Sequence, residues 1–438
     1  MTRSALKDSF DAVVIGAGVI GASVALELAR GGRSVAVVDK GPSAGAGSTS
    51  SSVSIIRFSY STLDSVLTAW EAAAMWHDWE GHLGTVDPDG MVRFIRTGMC
   101  IFETPDANSE RVRRLWDDVG IAYSVADGES LRQLLPGVDL GAYFPPKRID
   151  DPAFADEAGS SLTALVELES GFIDDPKLAA SNLAFAAGQH GADFRFRQRV
   201  VAINQVDGRV SGVSLASGER INAPVVVNVG GPHSSLINKL AGVTDGMRIS
   251  NRPLRQEVFT VQAPTGLRLE DGLPAVADMD LGQYLRPQPG GTWLVGGTEA
   301  SCDDLHWVDD PDNFDEYPTV DQFEVSMMRL ARRVPEFGVP HRPVGLAALY
   351  DVADDWVPIY DKSDLPGYFM ACGTSGNQFK NAPIVGQFMR DIIDAEQAGN
   401  DHDARPVQFV GNRTGRSINL GAFSRLREKA QTSGTVMG

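Results

Sequence analysis

Apolar positions recur along this chain with two periods, and the first forty residues contain both. Phe10 to Ile15 is a short run rich in Val and Ile, which predicts a buried strand. Val19 to Arg30 follows with helical spacing, and Gly31-Gly32 stops it. Ser34 to Val38 predicts a second buried strand that ends on Asp39. Further on, Pro176 opens a helix whose apolar face carries Leu178, Leu183, Phe185 and Ala186. From Arg199 the pattern alternates, with Asp207-Gly208 and Ser217-Gly218 as turns, and reads as a three-stranded meander leading into a buried strand over Val225 to Gly231. Near the other end, Tyr368 to Ala371 predicts a strand, Gly373-Thr374-Ser375-Gly376 a turn, and Pro383 to Ile393 a helix. Between these lie an expected helix over Ser109 to Val119, short strands over Glu257–Val261, Tyr284–Arg286 and Trp293–Val295, and a helix over Val320 to Val334. The polar tail after Gly399 is expected to end in a frayed segment, Gln431 to Gly438.

The strand–helix–strand unit at the start carries chemistry. Gly16 permits a tight turn, Gly18 lets backbone approach a pyrophosphate, and Gly21 lets the helix pack closely on the strand. The helix start offers free N–H groups and the positive end of its dipole to phosphate. Asp39 lies about 20 residues beyond the glycines, where an acid can bind both hydroxyls of an adenosine ribose and disfavours a 2′-phosphate. Such an ordered set predicts a dinucleotide site. An NAD enzyme would run on into another helix and strand, whereas here a Gly/Ser-rich stretch continues directly into Ile55, Ile56 and Phe58. The distant strand–turn–helix at 368–393 would bring a second helix start to the same crevice, which suits the electron-rich edge of a reduced flavin.

On four landmarks the chain resembles the D-amino-acid-oxidase-like flavoproteins, and within them the sarcosine oxidase and glycine oxidase branch. They are Gly16/Gly18/Gly21 with Asp39, GSTSSSVSIIRFSY at 47–60, the stretch from Arg199 to Ser235, and GTSGNQFK at 373–380. The resemblance implies an α/β chain: a glutathione-reductase-type Rossmann domain binding FAD, over 1–88, 166–248 and 349–398. An inserted α+β substrate domain with an antiparallel sheet would occupy 89–165 and 249–348, and a C-terminal extension 399–438. It assigns the cofactor to Gly16, Gly18, Val19, Ile20, Gly21, Asp39 and Lys40; to Gly47, Ser48, Thr49, Ser50, Ser51 and Ser52; to Val200, Val201, Gly230 and Gly231; and to Gly373, Thr374, Ser375, Gly376, Asn377, Gln378, Phe379 and Lys380.

The same resemblance places Arg57 and Lys380 on a substrate carboxylate, with Tyr60, Tyr284 and Tyr350 around the site. Glu299, which stands where the branch has a histidine, is the acid expected beside the flavin as anchor for a substrate ammonium. The implied reaction is oxidation of the C–N bond of an amino acid or N-alkyl amine bearing a carboxylate, by hydride transfer to flavin N5 and hydrolysis of the imine. The alternative is a non-catalytic FAD-binding structural or assembly subunit. Ala348 stands where the branch often carries a tethering cysteine, and Thr49 and Ser50 where a histidine tether would stand, so FAD is expected without a covalent bond. Val295 falls where sarcosine oxidase has its oxygen-site lysine, which leaves O2 and another electron acceptor both open.

Composition narrows the partners. With 39 Lys+Arg against 57 Asp+Glu the net charge is −18, which argues against nucleic acid. The apolar stretch from Ala12 to Leu26 is shorter than the roughly 20 residues a bilayer requires, so no integral membrane segment is expected. Three cysteines exclude a disulfide framework and fit a cytoplasmic location. The seven histidines lack ligand spacing, and no metal is expected.

Overall fold

The computed structural model describes residues 8–106 and 109–438. Its first sheet is built from four distant parts of the chain. Four parallel strands lie in the order Asp193–Arg195, Val35–Val38, Ala12–Ile15 and Val225–Asn228; Tyr368–Cys372 joins them in parallel, and Ile359–Lys362 closes the edge antiparallel. The short strands are apolar on both faces because both are covered. Val14 and Ala12 point to the core beneath the helices, while Val13 and Ile15 point to the core beneath the meander. The Val19–Arg30 helix packs between Pro176–Gln189 and Ala382–Gln397 on one face. The meander, Val200–Val206, Arg209–Leu215 and Arg220–Asn222, lies over the other. Asp175 caps its helix by accepting from Leu178 N at 2.9 Å, and Pro176 occupies the first turn, where no donor is lost.

The second sheet has nine strands and draws on both inserts. Its order is His306–Trp307, Asn251–Gln262, Thr292–Gly297, Gln283–Gln288, Ala275–Asp278, Met99–Phe102, Ala164–Glu167 and Tyr123–Ala126, with Gly345–Ala353 also pairing to Asn251–Gln262. It is antiparallel except where Met99–Ile101 runs parallel to Ala275–Ala277. This sheet keeps Gly345–Ala353 as one of its strands, so it continues past the expected change-over after 348. The Val320–Arg333 helix, capped by Thr319, buries Phe323, Met327 and Leu330 against it. The last residues depart from expectation. Gln431 to Gly438 does not fray: Val436 packs with Trp356 and Tyr350, Met437 against the main core, and a chain of Ser and Thr hydroxyl bonds turns the segment into the cleft between the sheets.

Candidate active site

A continuous groove crosses the carboxyl ends of the parallel strands. Its widest part, about 2380 Å³, is lined by Gly16, Gly18, Asp39, Lys40, Gly47, Ser48, Thr49, Ser51, Val200, Val201, Gly230 and Gly231. A middle chamber of about 940 Å³ shares Gly18, Ser48, Thr49 and Ser51 with it and adds Val19, Ile20, Gly21, Ser52, Tyr284, Tyr350, Thr374, Gly376, Gln378 and Phe379. A third, of about 480 Å³, shares Ser52, Tyr284, Tyr350, Gly376 and Phe379 and adds Arg57, Asn377 and Lys380. The two glycine-hinged turns therefore do converge. Three of the expected cofactor positions stand off the groove wall, as do the expected Tyr60 and Glu299. Ser50 turns its hydroxyl to Gly47 O at 2.9 Å, while Gly373 and Ser375 brace the turn from behind, Gly373 N donating to Asp351 at 2.7 Å and Ser375 Oγ accepting from Ala353 N.

The wide end suits a dinucleotide on several counts. Gly16 has φ +108°, and a Cβ there would lie 2.3 Å from Val229 O; one on Gly21 would lie 2.0 Å from Gly16 O. Gly18 gives the helix no side-chain cap, so its first-turn amides open onto the groove, with Val19 N donating to Thr49 Oγ1 at 3.1 Å. The Asp39 carboxylate accepts from Ala17 N and Gly41 N, each at 2.6 Å, and keeps lone pairs toward the groove. Lys40 pairs with Asp312, which Arg199 and His233 also contact at 2.7 and 3.0 Å, so the loop that carries Asp312 is pinned at the groove's rim. At the far end, Asn377 Nδ2 is buried without a partner among the described residues. An elongated groove with bare amides at one end and an unpartnered donor at the other fits FAD. Cysteine is absent from its described lining; Ala348 lies in the wall, and Cys372 is buried beneath the strand.

The narrow end is a cationic pocket. Arg57 and Lys380 are both buried and both face the Tyr60 ring, Arg57 Cζ at 4.8 Å and Lys380 Nζ at 5.4 Å from its centroid. Lys380 donates to Asn377 O at 2.7 Å and to Tyr60 Oη at 3.2 Å. Burial and the neighbouring Arg57 hold its ammonium well below the usual range. Tyr60 lies behind the pocket, its hydroxyl donating to Asn377 O at 2.7 Å and pushed up to about 12 by burial. Trp76 fixes Lys380 from outside, donating to its carbonyl at 2.7 Å and stacking on Phe379. Tyr284 and Tyr350 bond to each other, and burial raises both hydroxyls, so they remain protonated donors. Gly376 must be glycine: it has φ +69°, and a Cβ would sit 2.4 Å from the Tyr350 ring. Glu299, in a left-handed conformation, accepts from Gln256 Nε2 at 3.1 Å, and burial pushes its carboxyl up to about 8.

Comparison with known proteins now decides the family: the FAD dependent oxidoreductase (DAO) profile matches residues 11–392. The chain belongs to that family. As a member it is an FAD-dependent oxidoreductase. Over 418 residues it is 24% identical to FAD-dependent oxidoreductase domain-containing protein 1 of Xenopus laevis, covering 87% of this chain and 79% of that one. Over 401 residues it is 23% identical to glycine oxidase of Geobacillus kaustophilus, covering 90% and 95%, so the expected branch is represented among its relatives. The crystal structure of L-proline dehydrogenase from P. horikoshii superposes with a TM-score of 0.74 at 20% identity, over 96% of this chain and 98% of that one. Among the described residues of this oxidoreductase no helix is long and apolar enough to cross a membrane.

Several residues of the pocket escaped the sequence reading. Val436 and Met437 line it, although the polar composition of the tail predicts fraying. Glu167 lies buried beneath Arg57, accepting from Phe58 N at 2.8 Å, with its other oxygen unpartnered among the described residues. Asp351, pushed up to about 7 by burial, ties the 373–376 turn to the substrate sheet. Val295, matched to an oxygen-site lysine, points into the core packed on the nine-stranded sheet and not into the groove. Only the odd acids in apolar surroundings, Glu167 and Asp351, left a signal that could have been followed.

Proposed function

We propose that this oxidoreductase oxidises the C–N bond of an amino acid or N-alkyl amine bearing a carboxylate. The observation that carries the reading is the meeting of two buried basic side chains, Arg57 and Lys380, with Glu299 close by, at the end of the groove where Tyr284 and Tyr350 stand. Arg57 would fork two hydrogen bonds onto the carboxylate, and the arriving anion would restore the proton that burial discourages on Lys380. Glu299 would take the nitrogen end. A nearby ammonium favours its ionised form, and Glu299 then accepts a proton from the ammonium to leave the neutral amine. Bound FAD supplies the two-electron acceptor for the C–N bond. Tyr284 and Tyr350 exclude water and hold hydrogen-bond donors toward the reacting end. Water then hydrolyses the released imine.

The test is anaerobic mixing of the holoenzyme with a panel of carboxylated amines. Bleaching of the flavin band by at least one is expected, and reoxidation in air then separates O2 from another acceptor. No response to any member would favour the non-catalytic subunit instead.

A further inference from the structure

The Arg57 guanidinium and the Glu299 carboxylate do not face an open pocket; one residue bridges them. Val436 donates its backbone N–H to Glu299 Oε2 at 2.7 Å, and its own carbonyl accepts from Arg57 Nη2 at 2.7 Å. The bridging atoms are N–Cα–C=O of a single residue, the skeleton of a free α-amino acid. We propose that the segment Thr432–Gly438 is an internal pseudo-substrate, with Val436 held in the α-amino-acid subsite, nitrogen to Glu299 and carbonyl to Arg57, so that it must withdraw before substrate enters. The inference rests on the amine-oxidation reading and gives each anchor one end of the substrate.

The segment is built to leave. Its base is firmly tied: Arg427 holds Asp355 with bonds of 2.7 and 2.9 Å, and Thr432 Oγ1 donates to Asp355 O at 2.9 Å. Beyond Thr432 most polar groups bond within the segment, and Ser433 and Gly434 are exposed. The tip is held by the two Val436 bonds, by Ser61 Oγ donating to Gly438 O at 2.7 Å, and by the packing of the Val436 and Met437 side chains. Gly434, at φ +69°, is a ready pivot. An arriving amino acid would offer Arg57 a charged carboxylate in place of a neutral amide oxygen, and Glu299 an ammonium in place of an amide N–H. Both exchanges strengthen the bonds made, so substrate displaces the segment by competition.

The experiment compares full-length holoenzyme with holoenzyme ending at Gln431. The first probe is the synthetic peptide Thr-Ser-Gly-Thr-Val-Met-Gly, with binding followed by calorimetry. It should bind the shortened form and not the full chain, and Arg57→Ala in the shortened form should weaken it at least about tenfold. The second probes are glycine, sarcosine and L-proline. For whichever reduces the flavin, shortening should lower the half-saturating concentration by about tenfold, the factor by which a site closed nine-tenths of the time masks affinity. Equal peptide binding by both forms, binding indifferent to Arg57→Ala, or unchanged half-saturation would overturn the proposal. Should the shortened chain fail to fold, full-length Val436→Pro, which deletes the N–H offered to Glu299, replaces it: faster hydrogen exchange over 432–438 is expected, and unchanged exchange overturns the proposal. Arg57-dependent peptide binding without flavin reduction by any amine would uphold the occupied cleft while refuting amine oxidation.

Discussion

Arg57 gathers more of the site's chemistry than any other side chain. It is buried, lies over Tyr60, and reaches the cleft through Nη2. Arg57→Ala should lower kcat/KM by on the order of 10²-fold, the roughly 2–3 kcal/mol of a charge-assisted pair, as steady-state kinetics on the amine that bleaches the flavin would read. Glu299 makes a prediction of opposite character. Its ordinary value is 4.5 and the fold raises it to about 8, so between those values the folded chain keeps a proton that the unfolded chain has released. Its stabilising contribution is therefore full below about 4.5 and is lost as pH rises toward 8. Glu299→Gln should remove that slope, so the Tm of the variant relative to the parent climbs across the window; a constant difference would show the carboxyl to be ionised throughout. Arg57 and Lys380 could be picked out because each sits inside a recognisable motif. The Val436 bridge could not, since a contact between residues hundreds of positions apart leaves no local period.

The Ala12–Arg30 strand–turn–helix shows how a local pattern becomes an obligatory shape. Gly16 combines φ +108° with a carbonyl 2.3 Å from where a Cβ would stand. Gly16→Ala should push the Val229–Gly230 backbone out of the groove, cost roughly 1–3 kcal/mol in strain, and yield protein that purifies colourless; absorbance per chain checks it. This unit, the meander and the strand–turn–helix at 368–397 were legible because each element carries its own period and its own glycine punctuation. The tail was not. Its polar composition reads as frayed, yet Ser and Thr hydroxyls satisfy one another's backbone amides and leave Val436 and Met437 free to pack inward. The extension before it is likewise fixed by charges without periodicity: Arg425 alone meets Asp361, Asp364 and Asp403.

At the scale of the molecule, the groove joins the two sheets and takes its walls from both. Ser48 Oγ of the cofactor loop donates to Leu349 O of the substrate sheet at 2.8 Å, and Asp312 bridges Lys40, Arg199 and His233. FAD held only by such contacts should be released to the supernatant on acid precipitation; colour retained in the pellet would reveal a tether that Ala348, Thr49 and Ser50 do not supply. The six-stranded, mostly parallel sheet was readable from the order of motifs. The reach of the large sheet was not, because Gly345–Ala353 pairs along its whole length with Asn251–Gln262 while its own Tyr350 and Asp351 line the groove.

The parallel pairing of Met99–Ile101 with Ala275–Ala277 has one further consequence. The centre of the large sheet is stitched from chain made early and chain made late, so a nascent polypeptide leaves that early edge bare while the ribosome completes everything between. High contact order of this kind makes for slow assembly and an aggregation-prone interval during synthesis. A fragment stopped before the late strands would keep its open edge permanently, and only a chain carried through Asp278 can shut it.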